Sequence, residues 1–538
     1  MELSTKSTNL GPVDRVRRLL RFGVPRSPVH RPNRKHMRGL YRSRMSGLYR
    51  LRGLFCKHVH GQYSMRVRGL YRSHLRGLYR TLVLLCVILS APEAAVAQQP
   101  NVVFVLADDL GLADVNSFDL ENRTFYETPN IDALASQGIR FLQAYTNAAN
   151  CAPTRAALMS GQYYPRQPIY HVGRSGRGKM IPADNATELP LEKITIAEAL
   201  KDGGYTSAFI GKWHIGNPPE TGPREQGFDI NIGGYMAGNP NAWDGEYFEP
   251  NNNPFIDDAE EGEYLTDYLT RKAVGFIEEN RDRPFYLQLS YYTPHVPLQA
   301  PEDRVQKYRE KQGQGGHDEP TYAAMIESLD DGVGRLMETL DRLQIADRTI
   351  FVFYSDNGGD GSYSDLGRED DGISDNSPLK AGKGSFYEGG IRVPLAIRWP
   401  DVVEPGTASE EPVIGIDFYP TLLEAAGVEP PDDYVLDGVS LMPLLEDATA
   451  RLDRDALFWH FPGYPNNPWR TSPVSVIRSD RWKLMKFYED DRLELYDLAD
   501  DVGEARNLAD SNPGKSRELH ETLVRWLDQH QAPMPRHP

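Results

Sequence analysis

The chain has 538 residues, 40 % of them hydrophobic and 25 % charged, proportions of a soluble globular protein too long for one small core. Residues 1–97 hold 20 of its 60 Lys and Arg against three acidic residues, so the remainder carries 40 basic and 73 acidic side chains, a net of −33. That excess excludes nucleic acid as a partner of residues 98–538, because a phosphate binder needs a basic face, but it leaves an anionic substrate admissible, since a metal ion can reverse the field inside one pocket.

Residues 1–64 are basic and repetitive: Arg38-Gly39-Leu40-Tyr41 returns at Arg68–Tyr71 and Arg76–Tyr79. This segment is expected to be disordered or untranslated, with Met65 as the start. Residues 65–97 read as a signal peptide. Arg66, Arg68, Arg72, Arg76 and Arg80 precede the apolar run Leu82–Leu89, and Ala95-Val96-Ala97 supplies the small-residue cleavage pattern. No apolar run reaches the ~18 residues that span a bilayer, so no transmembrane anchor is expected, and the mature protein is placed outside the cell or in the periplasm. Of Cys56, Cys86 and Cys151 only Cys151 then survives, and a lone cysteine in an exported protein needs a chemical reason.

Five short apolar runs read as buried parallel strands: Val102–Ala107, Thr206–Ile210, Phe285–Ser290, Thr349–Tyr354 and Val393–Trp399. Helical patterns lie between them. Ile131–Gln137 follows Asn130 as N-cap and stops at Gly138; Ile196–Lys201 stops at Gly203; Leu265–Glu279 and Tyr322–Leu343 carry apolar residues at three- and four-residue steps. Strands alternating with helices predict a large, mainly parallel sheet flanked by helices. Further on, Val474–Arg478, Trp482–Phe487 and Leu493–Tyr496 suggest an antiparallel meander, closed by a helix at Arg517–His530. The expected division is a catalytic domain at 98–450 and a small α+β domain at 451–538.

Ligands in open α/β sheets bind beyond the carboxyl ends of the strands. Four of the runs end in chemistry there: Asp108-Asp109, Asp356-Asn357, Lys212-Trp213-His214, and His295 after Tyr291–Pro294. Asp108-Asp109 alone fits loop solvation or helix capping better than it fits a cation. A second acid-plus-amide pair at a matching strand end favours the cation, and the all-oxygen set suits Ca²⁺ or Mg²⁺. In Cys151-Ala152-Pro153-Thr154-Arg155 the cysteine sits just before a helix N-terminus that Gly161 later ends. A buried structural cysteine and a thiolate nucleophile both fit that position.

Cys151-Ala152-Pro153-Thr154-Arg155 resembles the cysteine-type sulfatase signature, Cys-x-Pro-Ser/Thr-Arg. Other blocks are similar to that family in the same order: Pro100-Asn101 to Asp109, Gly211–His214, Pro294-His295, Ser355–Gly358, Gly382-Lys383-Gly384 and Glu388-Gly389-Gly390, with Trp482-Lys483-Leu484 and Glu494–Leu498 near the end. The resemblance runs from Gln99 onward. It implies an alkaline-phosphatase-like fold and a sulfuric ester hydrolase in which a maturation enzyme oxidises Cys151 to formylglycine. The hydrate of that aldehyde would attack sulfur, releasing an alcohol and then inorganic sulfate. One divalent cation, Ca²⁺ ahead of Mg²⁺, would be held by Asp108, Asp109, Asp356, Asn357 and the modified Cys151. Arg155 would orient the hydrate, Lys212 and Lys383 would grip the sulfate, His295 would protonate the leaving alkoxide, and His214 would take the proton of the second hydroxyl. Two alternatives are a phosphoesterase of the same superfamily, disfavoured by Cys151 and the Asp/Asn set, and an inert binder of sulfated glycans. Lys380 is expected at the surface. Gly359–Asn376 is expected to rim the pocket, and the basic cluster Arg166, His171, Arg174, Arg177 and Lys179 is read as a solvated loop.

Overall fold

The computed structural model describes residues 99–538 apart from 369, 370 and 468. The expected basic repeat at 1–64 and signal peptide at 65–97 lie outside the described residues. Fourteen strands follow in chain order: β1 (Asn101–Ala107), β2 (Ile139–Phe141), β3 (Ala144–Tyr145), β4 (Thr206–Gly211), β5 (Ile230–Ile232), β6 (Phe285–Ser290), β7 (Thr349–Ser355), β8 (Leu395–Arg398), β9 (Thr407–Ser409), β10 (Val413–Ile414), β11 (Leu457–Phe461), β12 (Val474–Ser479), β13 (Trp482–Phe487) and β14 (Leu493–Asp497).

Eight of these form one sheet in the order β5-β4-β6-β1-β7-β8-β2-β9. β1 lies at its heart, parallel to β6 on one side and β7 on the other. All seven of its residues are buried, and they divide between two cores. Val103, Val105 and Ala107 face one helical layer, while Val102, Phe104 and Leu106 face the other. A strand covered on both faces cannot alternate apolar with polar, which is why β1 reads as an unbroken apolar run.

One strand departs from the expected direction. The run at Val393–Trp399 yields β8, which is antiparallel to β7 and to β2. Between β7 and β8 the described helices, Tyr363–Leu366 and Glu388–Ile391, have four residues each. Nothing there spans the sheet to return the chain to its starting end, so β8 runs back from the edge where β7 stopped.

The helices that matter for the site are α1 (Pro129–Gln137), α2 (Cys151–Ser160), α3 (Ile196–Asp202), α4 (Leu265–Asn280), α5 (Glu302–Arg309), α6 (Pro320–Arg342) and α7 (Glu388–Ile391). α1 starts earlier than the sequence suggested. Thr128 is its N-cap without a side-chain cap bond, and Asn130 is already helical. The free first-turn N–H groups of Asn130 and Ile131 instead donate to Asp330 of α6 at 3.0 and 2.8 Å, a cap supplied from 200 residues away. α2 includes Cys151 as its first residue, after Asn150 as N-cap, and every one of its ten side chains is buried. Gly161 ends it at φ 66°, a left-handed turn that glycine adopts without Cβ strain.

The second sheet is β11-β12-β13-β14, antiparallel throughout. Its last three strands match the expected meander, and β11 adds a strand that the sequence pattern does not announce. A closing helix at Pro513–Gln529 lays Leu519, Leu523 and Trp526 into the apolar cluster that holds Val474, Val476 and Leu484. Between the two sheets sits a sealed ion network: Lys483 of β13 is 2.9 Å from Glu388 of α7 and 2.9 Å from Glu504, all three fully buried.

Candidate active site

The parallel register of β1, β4, β6 and β7 delivers their carboxyl ends to one edge. Ala107 pairs with Ser355, so Asp108 and Asp356 leave adjacent strands side by side. Gly211 pairs with Ser290, which brings Lys212 and the turn before His295 to the same edge. Short backbone bonds extend the ladder past the strands: Asp356 N–H donates to Ala107 O at 3.1 Å, and Lys212 N–H to Ser290 O at 2.8 Å. α2 approaches this edge with its N-terminus, carrying Cys151 and Arg155.

Each acid there meets a cation. Lys212 Nζ lies 2.8 and 2.6 Å from the two oxygens of Asp108. Lys383 Nζ lies 2.6 Å from Asp109 Oδ2. Arg155 donates through Nε and Nη2 to Asp356 Oδ2 at 2.9 and 2.7 Å. His295 Nε2 is 3.5 Å from Asp109 Oδ2, and Cys151 Sγ is 3.8 Å from Asp109 Oδ1. Asn357 Nδ2 donates to Asp109 Oδ1 at 2.9 Å. His214 N–H donates to Tyr235 O at 2.9 Å, and its ring packs on Gly238, where a Cβ would fall 2.5 Å from Cε1. Nine of the ten residues singled out in the sequence are buried and Lys383 is half-buried; the contacts above join nine of the ten around the strand ends, with His214 two residues beyond Lys212.

The charges shift one another. Burial raises the Asp109 carboxyl, but His295 and Lys383 outweigh it and hold it well below the usual range. Burial and the neighbouring Asp108 push Asp356 up to about 6. Burial, with Asp356 adding to it, drives the Cys151 thiol far above its ordinary value, so the unmodified side chain is a poor nucleophile at neutral pH. Burial brings His295 down to about 4. Its Nδ1 is 2.7 Å from Val296 O, which leaves Nε2 facing the site. Burial, then Lys212 and Arg155, keeps His214 well below the usual histidine range.

The donor set fits a hard divalent cation. Asn357 Oδ1 is buried with no hydrogen-bond partner among the described residues, in a cluster with three carboxylates. Such an orphaned carbonyl beside acids is the environment an oxygen-seeking ion satisfies. By distance alone, ligand atoms of Asp108, Asp109, Cys151 and His295 lie within 4.8 Å of one another. Asp356 stands outside that group, drawn to Arg155.

Several supporting residues escaped the sequence reading. Asp109 adopts φ 66°, unusual for a residue with a side chain. Its N–H donates to Asp356 Oδ1 at 3.3 Å, and its carbonyl lies 3.2 Å from the Tyr322 hydroxyl. Tyr322 also donates to Asp114 Oδ2 at 2.7 Å, and Asp114 accepts Gly111 N–H at 2.7 Å. Gly111 and Asp114 stand at capping-box spacing, a signal that could have been read. Arg470, between β11 and β12, donates to Lys383 O at 3.2 Å and to Asp360 Oδ1 at 2.8 Å; no local pattern announces this reach across the chain.

The outer residues divide. In the 359–376 stretch Asp360 anchors Arg470, and Tyr363 donates to Lys383 O at 3.0 Å. Lys380 is half-buried rather than surface-exposed, because its ammonium sits 4.2 Å from the Tyr387 ring centre. The basic cluster is not one patch: Arg166 pairs with Asp437, His171 is buried, Lys179 pairs with Glu489, and Arg174 and Arg177 are exposed.

Comparison with known proteins gives these positions a context. The sulfatase family model matches residues 100–428, and the model for the C-terminal region of N-sulphoglucosamine sulphohydrolase matches 382–532. A sulfatase of Formosa agariphila is 34 % identical over 511 residues, covering 81 % of this chain and 90 % of its own. Human steryl-sulfatase is 31 % identical, covering 71 % of this chain and 76 % of its own. Among solved structures, Ps i-CgsB in complex with k-i-k-neocarrahexaose matches with TM-score 0.67 and 31 % identity, covering 82 % of this chain and 95 % of that one.

Proposed function

Because the chain belongs to the sulfatase family and is a sulfuric ester hydrolase, we propose that the strand-end cluster around Cys151 is its catalytic centre. The observation that carries this reading is the convergence on one thiol: Asp109 stands 3.8 Å from Sγ, and groups from four strand ends and one helix N-terminus gather beside it. Sγ marks where the oxygen functions of formylglycine would stand after oxidation by a maturation enzyme.

Asp108, Asp109, Asp356, Asn357 and residue 151 would hold the cation, Ca²⁺ by the all-oxygen character of the set. The bound cation supplies Lewis acidity and neutralises charge, and the hydrated formylglycine supplies the attacking hydroxyl. Arg155, one turn along α2 from residue 151, orients that hydroxyl. Lys212 and Lys383, which lie on Asp108 and Asp109, turn their ammonium groups to the sulfate oxygens and offset charge developing there. His295, neutral at rest, gains a proton on Nε2 as the anionic sulfate ester enters beside it and gives that proton to the departing alkoxide. His214 takes the proton whose loss lets inorganic sulfate depart.

The substrate class we favour is a sulfated carbohydrate. Support comes from the oligosaccharide named with the structural relative and from Tyr363 and Arg470, loop residues that hold the Lys383 carbonyl. Residues 65–97 are read as a signal peptide that exports the chain. Residues 98–450 are read as the catalytic domain, with 451–538 as a smaller domain that braces it. Among the described residues no helix is long and apolar enough to cross a membrane.

Two measurements test this function. Mass spectrometry of the peptide containing Cys151, from protein made in its native host, should show the aldehyde. Paired assays should show an aryl sulfate turned over faster than the matching aryl phosphate. An intact thiol together with faster phosphate release would end the proposal.

A further inference from the structure

A cavity of about 440 Å³ opens where the second sheet meets the first, and none of the catalytic residues lines it. Two of its lining residues are the nearly inaccessible arginines Arg392 and Arg478, 9 % and 4 % exposed. Arg478, on β12, stacks 5.1 Å from the centre of the Tyr145 ring. Its Nη2 donates to Gln143 Oε1, while Nε and Nη1 are buried with no hydrogen-bond partner among the described residues. Arg392 follows α7 and donates through Nε and Nη2 to Leu142 O at 2.9 and 2.5 Å; its Nη1 stands 3.6 Å from Glu388.

The local charge does not balance. Arg392, Arg478 and Lys483 are buried near two fully buried carboxylates, Glu388 and Glu504, and both of those already take Lys483 at 2.9 Å. At the mouth Arg451 is paired with Glu411 and Arg481 with Asp497, whereas Glu410 and Asp480 are exposed to water. The uncompensated cation is therefore on the inner wall. A buried guanidinium with unmade donors is costly. One stacked on an aromatic ring keeps its N–H edges in plane, the geometry that takes a sulfate, phosphate or carboxylate in a bidentate grip.

We propose that this cavity is a second anion site, taking a tetrahedral oxyanion of the sulfate or phosphate class on Arg478 and Arg392, with Gln143 yielding its place on Nη2. The site goes beyond the catalytic reading and uses none of its residues. It also lies on the segment that carries Lys383: Arg392 stands one residue beyond α7, and Lys383 five residues before α7 begins. An enzyme that releases inorganic sulfate would thereby hold its product in a second place, tied to the loop that bears a sulfate-gripping lysine.

The test is a crystal of the full chain soaked in sodium selenate, whose selenium is located by anomalous scattering, with calorimetric titration of sulfate beside it. The expected result is a selenium peak within hydrogen-bond reach of Arg478 and Arg392, separate from any peak at Lys212 and Lys383. Arg478→Met should remove it and weaken the corresponding calorimetric event by about tenfold or more. Should that variant fail to fold, Arg478→Lys keeps the charge, loses the fork and should still weaken binding several-fold. Displacement of selenate by phosphate but not sulfate would assign the phosphate arm, and the reverse the sulfate arm. A cavity without a peak, or a peak that survives both substitutions as an adventitious ion only, overturns the proposal. A missing peak at Lys212 and Lys383 would count against the catalytic reading and leave this one standing.

Discussion

The ammonium of Lys212 lies 2.6 and 2.8 Å from the oxygens of Asp108, and neither side chain is exposed to solvent. Lysine here does what a cation would do, so the two compete for the same carboxylate. Adding Ca²⁺ should raise the melting temperature, with a gain of about 2.7 kcal/mol at a hundredfold excess over Kd, and a chelator should reverse it. Asp356→Asn should remove most of the gain. Calorimetric scans that do not respond to Ca²⁺ would sink the metal assignment.

His295 can be separated from its neighbours by the leaving group. If it protonates the departing alkoxide, His295→Ala should slow an alkyl sulfate ester about 10²–10⁴-fold. The same variant should slow 4-nitrophenyl sulfate far less, since nitrophenolate departs without help. Equal losses on both substrates, measured as kcat, would remove the acid role from this residue.

Tyr322 bears on the site through the backbone. Its hydroxyl is shared between Asp114 and the carbonyl of Asp109, the residue held at φ 66°. Tyr322→Phe strips a donor from two buried acceptors and should cost about 1–3 kcal/mol in denaturant unfolding. It should also shrink the stabilisation by Ca²⁺ described above. A variant that loses stability but keeps the full Ca²⁺ increment would show Tyr322 to be structural only.

Asp330 predicts a pH dependence away from the catalytic cluster. Burial lifts its carboxyl from 3.8 to about 7, against the pull of the Ile131 and Asn130 amides. Between those values the unfolded chain has released the proton and the folded chain retains it, so stability falls as pH rises from about 4 to 7. The contribution is complete below about pH 4. Asp330→Asn has no proton to release, and the stability difference between parent and variant should move against the parent across that window in unfolding curves. A difference that stays flat with pH would refute the shift.

Much of this was legible in the letters because strand ends carry chemistry in order. Short, mainly apolar runs located β1, β4, β6 and β7, and the polar residues following each run are those that meet at the edge. What could not be read were relations set by packing. The cap of α1 comes from Asp330, whose own neighbours in sequence give no hint of it. Strand β8 is as apolar as the parallel strands of the sheet, and composition does not record direction. Arg470 reaches Lys383 from a loop between strands of the other sheet, and Lys380 leaves the surface because the Tyr387 ring and the Glu504 carbonyl take its ammonium.

The sealed contact of Lys483 with Glu388 and Glu504 has a consequence for how the molecule could be cut. A fragment ending near residue 450 would keep Glu388 with Arg392 at 3.6 Å and Tyr145 at 2.7 Å, but would lose the Lys483 ammonium that stands 2.9 Å from it. It would also uncover the face of α7, which follows closely on Lys383. The smaller sheet is thus less an appendage than a keystone, and trimming the chain to its catalytic half should yield a protein that does not hold its shape.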